Sequence, residues 1–584
     1  MSKEWVIAPE PQGSAQAARQ WGVPPLVAQL LLNRGLSPQQ PVGPFLSPQL
    51  KDIHEPRLLA GAAAAADRVV AAIQARQRIV IFGDYDVDGT AGVAILLHVL
   101  RAAEAQVSFY VPHRIDEGYG LNREAALKLV AEGAALIITV DCGISATTVA
   151  QDLRQAGVPL IITDHHTPGP ELPEADVIVH PAVGGTYPNP DLCGAGVAFK
   201  LAWMIAQRLS GAPRVAPGWR QLLIDLLPLA ALGTIADVVP LLGENRILAR
   251  HGLSALSQTP WPGLRALIEA AGLNGARIDS YDVGFKLAPR INAAGRMGHA
   301  RLAVELLTCE TPERAREIAL YLDDQNRQRQ ATETRLTREA GALVERDGLA
   351  GDAHRGIVLA GANWHAGVLG IVAAKLVDRY HRPAVLISLN GSEGQGSARS
   401  VRHFDMFAAL HACREHLLAY GGHAMAAGLR IKSDCVPAFT EAFVAQANQA
   451  LTGVDLVPKL RLDAAVDLTA LTLTTAEVVA NLGPFGTGNP KPRLATQWVE
   501  LADEPRSVGR EQNHLQAVFA QNGVQMRGIG FGLAPLLEDL KQHRRCRVAF
   551  EPMINDFNGR RSVEMRILDV QFPEKGDITD YPSA

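Results

Sequence analysis

The chain has 584 residues, 47% apolar and 20% charged, with no low-complexity stretch and no detectable repeat. That is too long for one ordinary hydrophobic core, and the length suggests about three to four domains. The 56 Lys and Arg residues against 60 Asp and Glu give a net charge of −4, which argues against a protein that coats nucleic acid with a uniformly basic surface but leaves room for a local basic channel.

The cysteines (Cys142, Cys193, Cys309, Cys413, Cys435 and Cys546) are scattered, with no C-x-x-C spacing. They read as reduced thiols in a cytoplasmic protein, with neither a disulfide framework nor a zinc knuckle. The amino terminus, Met1-Ser2-Lys3-Glu4-Trp5, lacks a hydrophobic signal core.

In chain order, residues 1–50 are rich in Pro, Gln and Gly and read as an extension wrapped on the first domain. From about 68 to 180, short β-branched runs at Ile79–Phe82, Val107–Val111, Leu136–Val140, Leu160–Thr163 and Val177–Val179 read as strands. Helical stretches such as Ala91–Ala103 and Arg123–Glu132 alternate with them, which predicts a parallel α/β sheet covered on both faces. Residues from about 194 to 300 read as mainly helical. The longest apolar stretch, Leu222 to Leu242, contains Asp225, Pro228 and Asp237, so it predicts a packed core rather than a membrane span that would bury two carboxylates. Thr311-Pro312-Glu313 is a helix start with a capping hydroxyl, and the helix it opens runs to Gly348 as a rigid connector. A second, smaller α/β module follows. The last part contains strand-like runs at Leu515–Phe519, Val524–Gly530, Arg547–Phe550 and Val563–Ile567, with a hairpin turn at Asn555-Asp556-Phe557-Asn558-Gly559. It reads as a small β-barrel of the oligonucleotide-binding (OB) kind. The expected limits are 1–50, 51–305, 306–350 for the connector, 351–452 and 453–584.

The chemistry concentrates where strands end. Asp84, Asp86 and Asp88 close the first run and lead into Gly89, and carboxylates this dense are stable together only if hard cations neutralise them. Asp141-Cys142-Gly143, Asp164-His165-His166 and Asp237 repeat the pattern of an apolar run ending in a potential ligand. Ligands of parallel sheets bind at the carboxyl ends of strands, so the fold would gather these residues on one edge. An EF-hand loop would need Glu at its twelfth position, which is Ile95, and a helix before it. A phosphatase nucleophile loop starting at Asp86 would have no use for Asp84 or for the later Asp-His-His. Turn-forming Asp residues capping helices explain any one of these positions but not the series. Carboxylates with an imidazole suit Mn²⁺ or Mg²⁺, and two such ions about 3.5–4 Å apart can activate water and stabilise the leaving oxygen of a phosphodiester. The residues alone therefore reach a two-metal phosphohydrolase.

The ordered set of Gly83-Asp84-Tyr85-Asp86-Val87-Asp88-Gly89, Asp141-Cys142-Gly143, Asp164-His165-His166 and Asp237 closely resembles the DHH phosphoesterase superfamily, and within it the single-strand-specific exonuclease branch. Further similar strings are Gly118-Tyr119-Gly120-Leu121, Cys193-Gly194-Ala195-Gly196, Ala288-Pro289-Arg290-Ile291-Asn292 through Met297, Trp364-His365-Ala366-Gly367, Gly396-Ser397-Ala398-Arg399, Gly421-Gly422-His423 and Gly483-Pro484-Phe485-Gly486-Thr487-Gly488-Asn489-Pro490. Many small members place a His four residues before the D-x-D pair, where this chain has Phe82.

The resemblance implies a DHH domain, a smaller DHHA1-type domain joined to it by a long helix, and a C-terminal OB-like barrel. It implies two Mn²⁺ or Mg²⁺ ions, one held by Asp86 and Asp141, the other by Asp88, Asp141, His165 and Asp237, with Asp141 bridging. His166 would sit beside the scissile phosphate, Asp84 would be a ligand or orient one, and Asp164 would be an orienting partner or a cap. Arg290, Asn292 and Arg296 would contact the strand, Ser397 and Arg399 would form the pocket for a 5′ phosphate with Arg114 joining them, and His365 and His423 would line the cleft. The implied activity is 5′→3′ hydrolysis of single-stranded DNA to 5′-mononucleotides in recombination and repair, with single-strand-binding protein and a RecQ-type helicase as candidate partners. Two other readings stay open here: a phosphodiesterase of short oligonucleotides or cyclic dinucleotides, and a non-enzymatic single-strand clamp.

Overall fold

The computed structural model describes residues 3–113, 117, 120–185, 187–212, 214–296, 299–351, 353–557 and 559–573. Its first sheet is wholly parallel, with strands in the order Val107–Tyr110, Ile79–Gly83, Leu136–Val140, Leu160–Thr163 and Val177–Val179. Ile79–Gly83 and Leu136–Val140 are buried along their whole length, as expected for central strands covered on both faces. One face packs against helices Val87–Ala102 and Gly194–Ser210, and the other against Arg123–Ala131 and Thr147–Gln155. The first of these helices begins four residues earlier than its apolar run suggests, because the Asp86 carboxylate caps its amino end.

Pro217–Ala236 is, among the described residues, the one helix long and apolar enough to cross a membrane by length and composition. It packs between Val87–Ala102, Gly194–Ser210 and Gly243–Leu256, with Leu226, Leu229, Ala230 and Leu232 fully buried, which agrees with the packed-core expectation.

The connector is a 35-residue helix, Pro312–Arg346, spanning about 52 Å at 1.5 Å per residue. Thr311 occupies the cap position, but its hydroxyl makes no capping hydrogen bond, contrary to expectation; Pro at the first position and Glu313 remain as start signals. Ala315, Ile318, Ala319 and Leu322 bury in the first core, and Leu336, Ala340 and Val344 bury in that of the second module. Between these stretches lie buried Asp323, Asn326, Arg329 and Glu333. Asp323 pairs with Arg290 and Arg327, and Glu333 with Arg329 and Lys375. The second module has a five-stranded mixed sheet in the order Leu417–Gly422, Ala426–Lys432, Glu393–Arg399, Ala384–Asn390 and Ile357–Ala362.

In the third unit, strands Val499–Leu501, His514–Gln521, Val524–Gly530, Arg560–Gln571 and Arg545–Phe557 pair in a closed ring. Closure leaves no free edge within the barrel, as in an OB fold. Arg545–Phe557 and Arg560–Gln571 form the expected hairpin, whose Asn558 lies outside the described residues.

The amino-terminal reading needs correction. Residues 4–46 pack mainly on the barrel rather than on the first domain: Glu4–Ile7 pairs in parallel with Lys459–Leu462, and Leu26, Val27, Leu30 and Leu31 enter the barrel core. The apolar spacing of helix Pro25–Asn33 demands a partner but does not name one. The stretch around His54 does bind the first domain, its N–H donating to Glu244 and its carbonyl accepting from Lys200. Leu30→Ala is expected to cost about 2–5 kcal/mol, read as a lowered denaturant midpoint; a solvated extension would leave the midpoint unmoved.

Candidate metal centre

The turn after Ile79–Gly83 delivers Asp84 and then Asp86, whose Oδ1 accepts the N–H groups of Asp88 at 2.9 Å and Gly89 at 3.1 Å. Asp88 is gripped in turn by the amino end of helix Gly194–Ser210: Gly194 N–H donates to Oδ2 at 2.6 Å and Ala195 N–H to Oδ1 at 2.9 Å. A helix amino terminus favours a carboxylate there. Asp141 follows its strand with φ of +62°, a left-handed backbone that a non-glycine residue keeps only where the surroundings over-determine it. Asp237 caps the carboxyl end of Pro217–Ala236.

These side chains converge. Within each of three sets, Asp84/Asp86/Asp141, Asp88/His165/Asp237 and Asp141/His165/His166, potential ligand atoms lie within 4.8 Å of one another. His165 Nε2 is buried and makes no hydrogen bond, with Asp141 Oδ1 at 3.2 Å, Asp237 Oδ2 at 3.6 Å and Asp88 Oδ2 at 3.7 Å. Glycines line the cradle. A Cβ on Gly194 would stand 2.5 Å from Asp141 Oδ1, and one on Gly233 would stand 2.4 Å from Asp88 Oδ1.

The electrostatics follow from crowding. Burial raises the pKa of Asp141 well above the carboxylate range, with Asp88, Asp86 and Asp84 adding repulsion. Burial and then Asp88 raise that of Asp86, and burial followed by Asp88 and Asp86 pushes Asp237 up to about 8. Burial lowers that of His165. The neighbouring pair behaves oppositely. Burial works against ionising both Asp164 and His166, but their 2.7 Å hydrogen bond and mutual attraction outweigh it, so Asp164 is shifted down and His166 up. Asp164 also accepts the N–H groups of Ile144, His165 and His166. Anionic oxygens plus one open imidazole nitrogen, repelling until neutralised, fit hard divalent cations.

The other candidates scatter. Asn292 Oδ1 accepts Val87 N–H at 3.2 Å, bracing the aspartate loop. The Arg290 guanidinium donates to Asp323 and to the Lys286 and Ala270 carbonyls, so it ties the connector to the first domain. Arg296 ends helix Ala288–Arg296, with its side chain outside the described residues; Arg114 is wholly outside them. Ser397 and Arg399 lie on one strand, with Arg399 Nη1 donating to Ser397 Oγ at 3.3 Å. Both press on Gly370, where a Cβ would meet them at 2.7–2.9 Å. His365 Nδ1 caps helix Ala366–Tyr380 by accepting Gly367 N–H, and the ring also borders a cavity of about 180 Å³ with Arg335 and Asn363. His423 is exposed on the turn before Ala426–Lys432. Sequence reasoning gave no role to the Gly194 and Ala195 amides, to Gly233, or to His180, whose Nε2 lies 2.8 Å from His166 O. The Cys193-Gly194-Ala195-Gly196 string was the available signal for the amides.

Three family models match: the DHH family N-terminal domain over residues 78–234, the DHHA1 domain over 354–451 and the RecJ OB domain over 462–569. The single-stranded-DNA-specific exonuclease RecJ of Bacillus subtilis is 39% identical over 574 residues, covering 98% of this chain and 71% of its own. The chain belongs to the RecJ family. Among solved structures, RecJ of Thermus thermophilus in complex with Mn²⁺ superposes with a TM-score of 0.83 at 32% identity, covering 98% of this chain and 80% of that one. Its Mg²⁺ complex gives 0.77 at 30% identity over 98% and 79%.

For this RecJ-family chain, raised carboxylate pKa values set the sign of a pH effect. In the folded, metal-free site the Asp237 carboxyl holds a proton that the unfolded chain has released between about pH 4 and about pH 8, so its contribution to stability falls as pH rises through that window. In chelator, Asp237→Asn is expected to raise the melting temperature at pH 8 and leave it unchanged near pH 4; equal shifts at both would refute this account.

Proposed function

We propose that the chain is a metal-dependent, single-strand-specific DNA exonuclease that works 5′→3′ and releases 5′-mononucleotides. The observation that carries this reading is the convergence of Asp84, Asp86, Asp88, Asp141, His165 and Asp237 at the carboxyl edge of one parallel sheet, in a chain of the RecJ family. In this reading residues 51–305 catalyse, 306–350 connect, 351–452 dock the strand end and 453–584 grip the strand.

Asp86 and Asp141, with Asp84 beside them, would hold one cation; Asp88, Asp141, His165 and Asp237 would hold the second, Asp141 being shared. When bound, Mn²⁺ or Mg²⁺ at these positions supplies activation of water and stabilisation of the leaving 3′ oxygen. The chain's own groups do the positioning. The Gly194 and Ala195 amides fix the Asp88 carboxylate. Asp164 accepts from His166 Nδ1 and so favours the charged imidazolium, which would stabilise charge on a phosphoryl oxygen. Ser397 and Arg399 take the terminal 5′ phosphate, with Arg114, Arg296 and Asn292 along the strand and His365 and His423 on its other side; guanidinium forks suit phosphate oxygens. The barrel grips the strand by stacking and backbone charge, which tolerates any sequence.

Restriction to single strands implies partners that supply and present them, a RecQ-type helicase and single-strand-binding protein. The free thiols fit the reducing cytoplasm.

With a 3′-labelled single-stranded oligonucleotide and Mn²⁺, the expected product is a ladder shortening from the 5′ end, abolished by Asp141→Ala. Cleavage surviving that substitution would misplace the site, and dinucleotides cut as readily as long strands would favour a small-phosphodiester enzyme. Replacing a 5′ phosphate by a 5′ hydroxyl is expected to slow wild type about tenfold or more and to leave Arg399→Ala nearly indifferent, since a charge-assisted contact contributes about 1.5–3 kcal/mol.

A further inference from the structure

The string Gly483-Pro484-Phe485-Gly486-Thr487-Gly488-Asn489-Pro490 belongs to the third unit, yet its hydrogen bonds run to the catalytic domain. Thr487 O accepts Leu241 N–H at 2.8 Å, Gly483 O accepts Arg246 Nη2 at 2.8 Å, and Phe485 O accepts Ser280 Oγ at 2.6 Å. Leu241 stands four residues after Asp237. Ser280 opens the run that reaches Asn292, hydrogen-bonded to Val87 between Asp86 and Asp88, and Gly295, where a Cβ would lie 2.9 Å from Tyr85 O. One loop therefore braces both the stretch that carries Asp237 and the stretch that packs on the Asp84–Asp88 loop.

The contact is close and stiff. A Cβ on Gly486 would meet Leu241 Cδ1 at 2.8 Å, and one on Gly488, at φ +72°, would meet Leu242 Cδ1 at 3.1 Å. The loop closes on itself through Gly486 N–H to Asn489 O at 2.9 Å. The fully buried Asn489 side chain donates to Leu482 O and Pro484 O and accepts from Arg34 Nε. Arg246 is buried and stacks on Phe45, with a carboxylate partner absent among the described residues. Between Asp237 and this clasp lies Val238, exposed and at φ +66°. A β-branched residue keeps such a backbone only when its flanks are held, and here the flanks are the end of helix Pro217–Ala236 and the clasped Leu241.

We propose that the 483–490 loop is a positioning element for the metal centre. By pinning Leu241 and bracing residues 280–295, it sets where Asp237 stands relative to Asp88 and His165, so the third unit tunes cation affinity as well as holding the strand. This rests on the metal-dependent reading above. Groups that orient ligands typically contribute about 10–100-fold in metal affinity.

The test is Mn²⁺ binding to the full chain without DNA, followed by the paramagnetic resonance of free Mn²⁺, for wild type, Gly486→Ala, Gly486→Val, Arg246→Lys and Arg246→Met. Gly486→Ala adds a single methyl that meets the Leu241 side chain and no backbone, so it keeps the test open if the larger changes fail to fold. The expected result is a graded loss: a few-fold weaker binding for Gly486→Ala, about tenfold or more for Gly486→Val and Arg246→Met, and partial recovery with Arg246→Lys. At saturating Mn²⁺, kcat returns and KM for the oligonucleotide stays within about twofold of wild type. Wild-type Mn²⁺ affinity in the folded variants, with or without a raised oligonucleotide KM, would overturn the inference and leave the enzyme reading intact. A wild type that took up no Mn²⁺ would instead overturn that reading, and this inference with it.

Discussion

Five carboxylates and an imidazole share a space in which burial and repulsion between carboxylates push Asp86, Asp141 and Asp237 toward neutrality. Asp84, Asp88 and Asp141 are almost wholly removed from water, and burial adds to their repulsion. The fold holds this arrangement because the main chain supplies what solvent does not. The Gly194 and Ala195 amides meet Asp88, the first turn of Val87–Ala102 meets Asp86, and three amides meet Asp164. The energy stored against the cation-free state becomes binding energy for hard divalent ions.

Much of the architecture serves that cluster. The parallel sheet brings the ends of Ile79–Gly83, Leu136–Val140 and Leu160–Thr163 to one edge. Asp237 arrives from the end of a helix, so its place depends on what packs around that helix and the loop after it. The connector holds the second module at a distance set by one continuous helix, with Asp323 anchored to Arg290 on one side and Glu333 to Lys375 on the other.

The barrel and the amino-terminal segment are less separate than their order in the chain suggests. Residues 4–46 complete the barrel's packing, while Arg246, from the catalytic domain, donates to both Phe45 O and Gly483 O. That guanidinium sits where the amino-terminal segment, the catalytic domain and the third unit meet.

Local patterns determined a good deal. Alternating β-branched runs and helical stretches specify a parallel sheet, and the Asp84, Asp86 and Asp88 cluster with Asp141 and His165 after later strands points to a cation site, because dense carboxylates at strand ends have few other stable uses. The connector was legible from a proline, an acid and a long charged run. Tertiary structure alone decided which groups meet. It assigned Arg290 to Asp323, made His365 a helix cap, and placed Leu26, Val27, Leu30 and Leu31 in the barrel core. Hydrophobic spacing says that a face must be buried, and a guanidinium says that it needs acceptors, but neither carries the address of its partner. That address exists only once distant segments have packed, which is also why a glycine-rich string in the third unit could be seen in the sequence without its contact beside Asp237.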